Sequence, residues 1–188
     1  MDLYKAMLER NSVRRYTDEP LKQEHIDELN KAIEKVNKES GLHFQLVTNE
    51  PEAFQGKGAE YGHFSGCTDY IICVGKKGKD EEIGYYGEEL VLVCQALGIN
   101  SCWVALTFNK KKVEPEINKG EKFYLVISIG YGIHQGRPHK NRPIEDVYSC
   151  KEDAPQWFMD GVSGAMTAPT ATWGRPRRRT APCTSTTT

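Results

Sequence analysis

Arg10-x-Ser12-x-Arg14-x-Tyr16 is the stretch of this chain whose residue types and spacing bear most directly on chemistry. Alternate side chains of an extended backbone project to one side, so two guanidinium groups and a hydroxyl would line up there. Such a set can grip a phosphate through several charge-assisted hydrogen bonds. A simpler account competes with it. Arg10, Arg14 and Arg15 lie within six residues, which also suits a solvated turn, and charge alone favours the turn.

Other chemical signatures are weaker. Gly130-x-Gly132 follows an apolar run and invites a dinucleotide-binding reading, but the next glycine is at position 136 rather than 135. The segment from Gln135 to Pro143 contains two prolines and cannot open the helix that a pyrophosphate site requires. A strand-to-loop turn is the better account. A Walker A loop, a GxSxG elbow and a paired-carboxylate motif are all missing. Zinc is disfavoured because no CxxC, HExxH or close Cys/His cluster occurs. The six cysteines lie at 67, 73, 94, 102, 150 and 183, and three of them (Cys73, Cys94 and Cys102) sit within apolar runs. Free thiols are therefore expected rather than a disulfide framework.

The elements that must position these residues can be traced along the chain. A short helix over 2–10 is followed by the turn-like NSVRRYTDEP. A longer helix over 23–39 carries Ile26, Leu29, Ile33 and Val36 on one face and stops at Gly41. A strand is predicted over 42–48, then a long loop over 49–68. The continuous apolar run 69–75 suits a central strand covered on both faces. An apolar helix over 83–98 ends at Gly98, a strand covers 101–106, a helical turn 109–113, and a strong strand 123–130. A Gly-, His-, Arg- and Pro-rich arm leads to a last helix over 153–167, with Trp157, Phe158, Val162 and Met166 on its apolar face and Pro169 at its end. This order of elements predicts helices packed on a sheet, in an α+β or α/β layer fold.

At 188 residues and 38% hydrophobic content the chain suits one domain. A chain of this size buries about 70% of its unfolded surface and needs neither metal nor disulfide to hold a core. The formal charge of −1 hides an asymmetry. Residues 173–188 hold Arg175, Arg177, Arg178 and Arg179 and no acid, so residues 1–172 carry 21 bases against 26 acids, a charge of −5. From Trp173 onward periodicity is lost, and 172–188 read as a disordered Arg/Thr/Pro-rich tail. No stretch approaches the roughly 18 apolar residues of a membrane span, and the start lacks the apolar core of a secretory signal. A cytoplasmic location with no membrane or nucleic-acid partner is expected.

The Arg10-x-Ser12-x-Arg14-x-Tyr16 stretch resembles the N-terminal signature of the FMN-dependent nitroreductase family. Further matches follow in the family's order: GEELVLVCQALGINSCWVAL (87–106), LVISIGYG (125–132) and the basic Lys140-x-Arg142-Pro143-Ile144-Glu145. Ala168-Pro169-Thr170-Ala171 resembles the family's APSA segment, and its late position is similar to that of the TM-nitroreductase subgroup. The resemblance covers about residues 2–171, which would form one nitroreductase-like domain.

It implies an α+β fold with a central, mostly antiparallel sheet flanked by helices. It also implies a homodimer with FMN at the subunit interface, and hydride transfer from NAD(P)H through flavin to nitroaromatics, quinones or similar small-molecule acceptors. Arg10, Ser12 and Arg14 would contact the phosphate, ribityl chain and pyrimidine edge of FMN, with Asn11 contributing through its backbone. Lys140 and Arg142 would form a second phosphate clamp. Trp103, Val104 and Ala105 would run beside the flavin ring, although ordinary core packing explains Trp103 equally well. No catalytic side chain is implied, because the flavin N5 carries the chemistry. Arg14 would place positive charge at the pyrimidine edge, and one open pocket would serve donor and acceptor in turn.

The chain departs from the family after Ala171. The pattern expects Asn-x-Gln and a further strand, whereas Trp173 and Arg175 occupy those positions. A shifted reading frame or truncation from about residue 172 would account for this. Two other readings remain alongside the enzyme: a non-catalytic flavin-binding protein on the same scaffold, and a polyanion-binding module acting through the basic tail.

Overall fold

Successive residues of a strand face opposite ways, and in the run from Asp69 to Gly75 both sets are apolar. Only a strand covered on both sides can bury them all, and that is where the run is found. A computed structural model describes residues 2–138, 143–149 and 154–169. They fall into two units that divide after Arg137.

The larger unit contains α1 (Leu3–Glu9), α2 (Gln23–Ser40), β1 (His43–Val47), α3 (Lys57–Tyr61), β2 (Asp69–Lys76), α4 (Asp80–Ala96), β3 (Asn100–Val104) and β4 (Glu121–Gly130). The four strands form one sheet in the order β1-β2-β4-β3, and every neighbouring pair is antiparallel. Ile71 and Cys73 of β2 and Ile127 and Ile129 of β4 face α2 and α4, packing against Leu29, Ile33 and Val36 and against Ile83, Leu90, Val91 and Cys94. On the opposite face Tyr70, Ile72, Val74 and Val126 pack against Val13, Tyr16, Phe54, Phe64 and Phe108. The three-and-four spacing on α2 therefore marks the buried face, as the sequence predicts. Gly41 closes α2 at φ +68°, its N–H donating to Asn37 O at 3.0 Å.

Three differences from the sequence reading have local causes. The expected long loop over 49–68 contains a 3-10 turn, Glu52–Phe54, and the five-residue α3. Both are too short to show a periodicity, and they form because Ala53, Phe54 and Ala59 bury into the second core. The expected strand over 101–106 stops at Val104, where its ladder with Val126 ends, leaving Ala105 and Leu106 exposed. The helical turn expected over 109–113 is a 3-10 turn, Lys110–Lys112.

The smaller unit contains a 3-10 turn, Ile144–Asp146, and α5 (Gln156–Thr167). Phe158, Val162 and Met166 on α5 are half-buried and Trp157 is 73% exposed, so Trp157 departs from the expected apolar face. Phe158 meets the Tyr148 ring edge-on, with centroids 5.9 Å apart. The tail from 172 onward lies outside the described residues. Among the described residues Cys67, Cys73, Cys94 and Cys102 are free and buried, no helix is long and apolar enough to cross a membrane, and no cluster of His, Cys, Asp or Glu is arranged to hold a metal ion.

Candidate functional site

The stretch after α1 is extended because backbone hydrogen bonds hold it on both sides. Val13 N donates to Ser101 O of β3 at 3.0 Å, and Ser12 bridges Ser101 in parallel register. Tyr16 N donates to Ser65 O at 2.9 Å, Ser65 N to Arg14 O at 3.0 Å, and Thr17 N to Tyr131 O at 2.8 Å. Behind the stretch the buried Tyr16 hydroxyl donates to Val13 O at 2.7 Å and shares a 2.8 Å hydrogen bond with Ser128 Oγ. Burial holds the Tyr16 phenol well above its ordinary value, so it remains a neutral donor throughout the physiological range. With Val13 wholly buried, the neighbouring Ser12 and Arg14 are exposed.

The alternation expected of Arg10, Ser12 and Arg14 holds for Ser12 and Arg14, which are both exposed on either side of the buried Val13, whereas Arg10 is buried at the end of α1. Ser12, Arg14 and Arg10 all act on the nearby Cys102 thiol. Burial raises the Cys102 thiol, and these three groups work against that rise. The Arg14 guanidinium also lies over the Phe64 ring, 6.0 Å from its centroid. The motif is thus a cluster of donors on one edge of the sheet with an aromatic ring beside it.

Arg10 is placed differently from Arg14. It caps the C-terminus of α1, with its backbone N–H donating to Ala6 O at 2.9 Å, and it is only 3% exposed. Its Nε lies 3.3 Å from Oε1 of Glu88, on α4. The other carboxylate oxygen of Glu88 accepts from Trp103 Nε1 at 2.9 Å. Trp103 can lie this close to α4 because residue 87 is glycine: a Cβ there would come 2.4 Å from the indole Cη2.

Asn11 is half-buried, and its side-chain amide donates to Glu9 O at 3.2 Å and to Gln135 O at 3.3 Å. Asn100 holds the same arm, donating to Gln135 Oε1 at 3.0 Å and accepting from Gly132 N at 3.0 Å. Gly136, at φ +78°, allows the approach, since a Cβ there would lie 2.6 Å from Asn11 Cβ. Of the three residues assigned beside a ring, Trp103 packs on the helix-covered face, Val104 is buried on the other, and Ala105 is exposed beyond the strand. Lys140 and Arg142 lie outside the described residues.

Glu88, Asn100 and Gln135 carry no sequence signal of their own. Glu88 and Glu89 are adjacent, and only the fold distinguishes them: Glu89 pairs with Lys35 of α2 at 2.7 Å, on the surface. The Glu88 carboxyl is held above the usual carboxylate range by burial, with the Trp103 N–H and the Arg10 charge opposing the rise. A carboxyl raised in the folded state contributes its full stability below its unfolded value of about 4.3, and loses it as the pH rises through the folded value. Glu88→Gln removes that dependence. The difference in unfolding midpoint between variant and wild type is expected to move in the variant's favour as the pH rises above about 4.3, and a constant difference would contradict it.

A family model described as "Putative TM nitroreductase" matches residues 2–177. The chain belongs to this nitroreductase family. Solved structures share the nitroreductase fold. A "putative nitroreductase" from Thermotoga maritima is 23% identical, with a TM-score of 0.59 over 91% of this chain and 67% of that one. A "putative nitroreductase in complex with FMN" from Desulfovibrio desulfuricans is 19% identical, with a TM-score of 0.60 over 82% and 99%. An "FMN-dependent nitroreductase" from Clostridium difficile is 19% identical, with a TM-score of 0.55 over 72% and 91%. No curated protein matches the chain.

Proposed function

We propose that this nitroreductase-family chain is an FMN-dependent oxidoreductase that passes hydride from NAD(P)H to nitroaromatic, quinone or similar acceptors, working as a cytoplasmic homodimer. The observation that carries this reading is the segment paired to β3 at Ser101, which displays the exposed Ser12 and Arg14, within a fold shared with a protein solved in complex with FMN. The donor set suits the cofactor. Guanidinium and hydroxyl groups match phosphate and ribityl oxygens.

When bound, FMN supplies the hydride chemistry. The chain supplies grip, orientation and charge. Arg10 and Ser12 would hold the phosphate and ribityl oxygens, with Lys140 and Arg142 as a second clamp. Arg14 would stabilise negative charge at the pyrimidine edge, and Val104 and Ala105 would border the ring. The deciding experiment is whether purified protein is yellow, keeps its flavin absorbance through gel filtration, and oxidises NADH or NADPH with a quinone or nitro acceptor. Retained FMN without oxidation would favour a non-catalytic flavin-binding protein. Colourless protein that takes up no added FMN would refute both.

Arg14 gives a clean test because it is exposed and its backbone contacts survive truncation. Arg14→Ala is expected to weaken FMN binding by about tenfold, the loss of one charge-assisted contact, and to leave the unfolding midpoint unchanged. Fluorescence titration with FMN and a thermal melt measure the two effects separately.

A further inference from the structure

We infer that Glu88 is a positioning residue for the FMN site: its carboxylate joins the Arg10 guanidinium and the Trp103 indole into one unit. This inference rests on the FMN reading and adds a residue to it. The unit spans three elements, with Arg10 at the end of α1, Glu88 on α4 and Trp103 on β3. One carboxylate oxygen faces Arg10 Nε at 3.3 Å, and the other accepts from Trp103 Nε1 at 2.9 Å.

Stability alone is a poor reason for such a pair. Desolvating two charges costs about as much as their attraction returns, and apolar replacements of similar volume are often at least as stable. Orientation is what the arrangement provides. A guanidinium is planar, so contact at Nε sets the plane of its whole fork of donors, and the Arg10 backbone is already fixed by its cap on α1. The indole is fixed as well, wedged against Gly87 with its N–H committed to Glu88. A long, rotatable side chain at the start of the motif is thereby held in one orientation at the sheet edge where Ser12 and Arg14 act. Glu88 acts through Arg10 and does not itself touch the cofactor.

The test is a double-mutant cycle on FMN affinity, using Arg10→Ala, Glu88→Gln and the double variant. Gln keeps the shape of Glu88 but offers one acceptor oxygen in place of two and carries no charge. Glu88→Gln is expected to weaken FMN binding by about tenfold in the wild-type background and by less than about twofold in the Arg10→Ala background, because its effect passes through Arg10. Equal losses in both backgrounds, or no loss in the single variant, would overturn the role of Glu88. Wild-type protein that binds no FMN would instead overturn the reading of the site itself.

A second readout needs no cofactor. In ligand-free protein the Trp103 indole N–H resonance, assigned by its absence in Trp103→Phe, should move in both Glu88→Gln and Arg10→Ala. A resonance that ignores Arg10→Ala would show that the three residues do not act as a unit, and would overturn the inference.

Discussion

Arg10→Ala is expected to weaken FMN binding by about ten- to a hundredfold and to destabilise the fold as well. The first effect follows from the loss of a buried, charge-assisted contact to phosphate, about 1.5–3 kcal/mol. The second follows from Glu88, which would lose its counter-charge. Breaking a fully buried pair costs about 3–5 kcal/mol, and the Glu88 side chain, 25% exposed, is partly hydrated, so the expected cost lies below that range. Arg10→Lys separates the two effects: a lysine keeps the charge but lacks the planar fork, so it should recover more stability than FMN affinity. Urea unfolding and FMN titration of both variants provide the check. Unchanged FMN affinity in Arg10→Ala would remove this residue from the site.

Tyr16→Ala should cause the larger loss of stability, about 3–5 kcal/mol, as for other buried aromatic truncations. The side chain is 5% exposed and fills the space behind the motif, so close to β4 that a Cβ on Gly130 would come 2.9 Å from Tyr16 Cδ1. Its hydroxyl is the buried partner of Val13 O and Ser128 Oγ. Tyr16→Phe removes only that hydroxyl and should cost about 1–3 kcal/mol. The difference between the variants in urea unfolding isolates the ring. Because Tyr16 supports the strand that displays Ser12 and Arg14, the Ala variant should also retain less FMN.

Which of these features could be read from the sequence depends on how far apart in the chain their partners lie. The β2 run was legible because apolar residues on both faces of one strand have a single physical solution. The buried face of α2 was legible because its period is local. The motif's alternation was also local: Ser12 and Arg14 are both exposed around the buried Val13, while Arg10, expected beside them, is buried as the cap of α1. Glu88 was not legible, since an acidic residue in a helix looks alike whether it meets water or an arginine 78 positions earlier in the chain. Asn100 and Gln135 were hidden for the same reason: each looks like an ordinary polar residue until the fold brings them within 3.0 Å. For Trp103 the sequence left two roles open, and its contacts with Gly87 and Glu88 place it against α4.

The pairing of residues 12 and 13 with Ser101 has a consequence beyond ligand binding. β3 is the outermost strand on its side of the sheet, and an open strand edge is a template on which another chain can add. The segment carrying Ser12 and Arg14 occupies part of that edge with its own backbone. The same few residues therefore guard against unwanted strand addition, and a lesion that frees them from β3 would expose a sticky edge at the moment it loosens the grip on the cofactor.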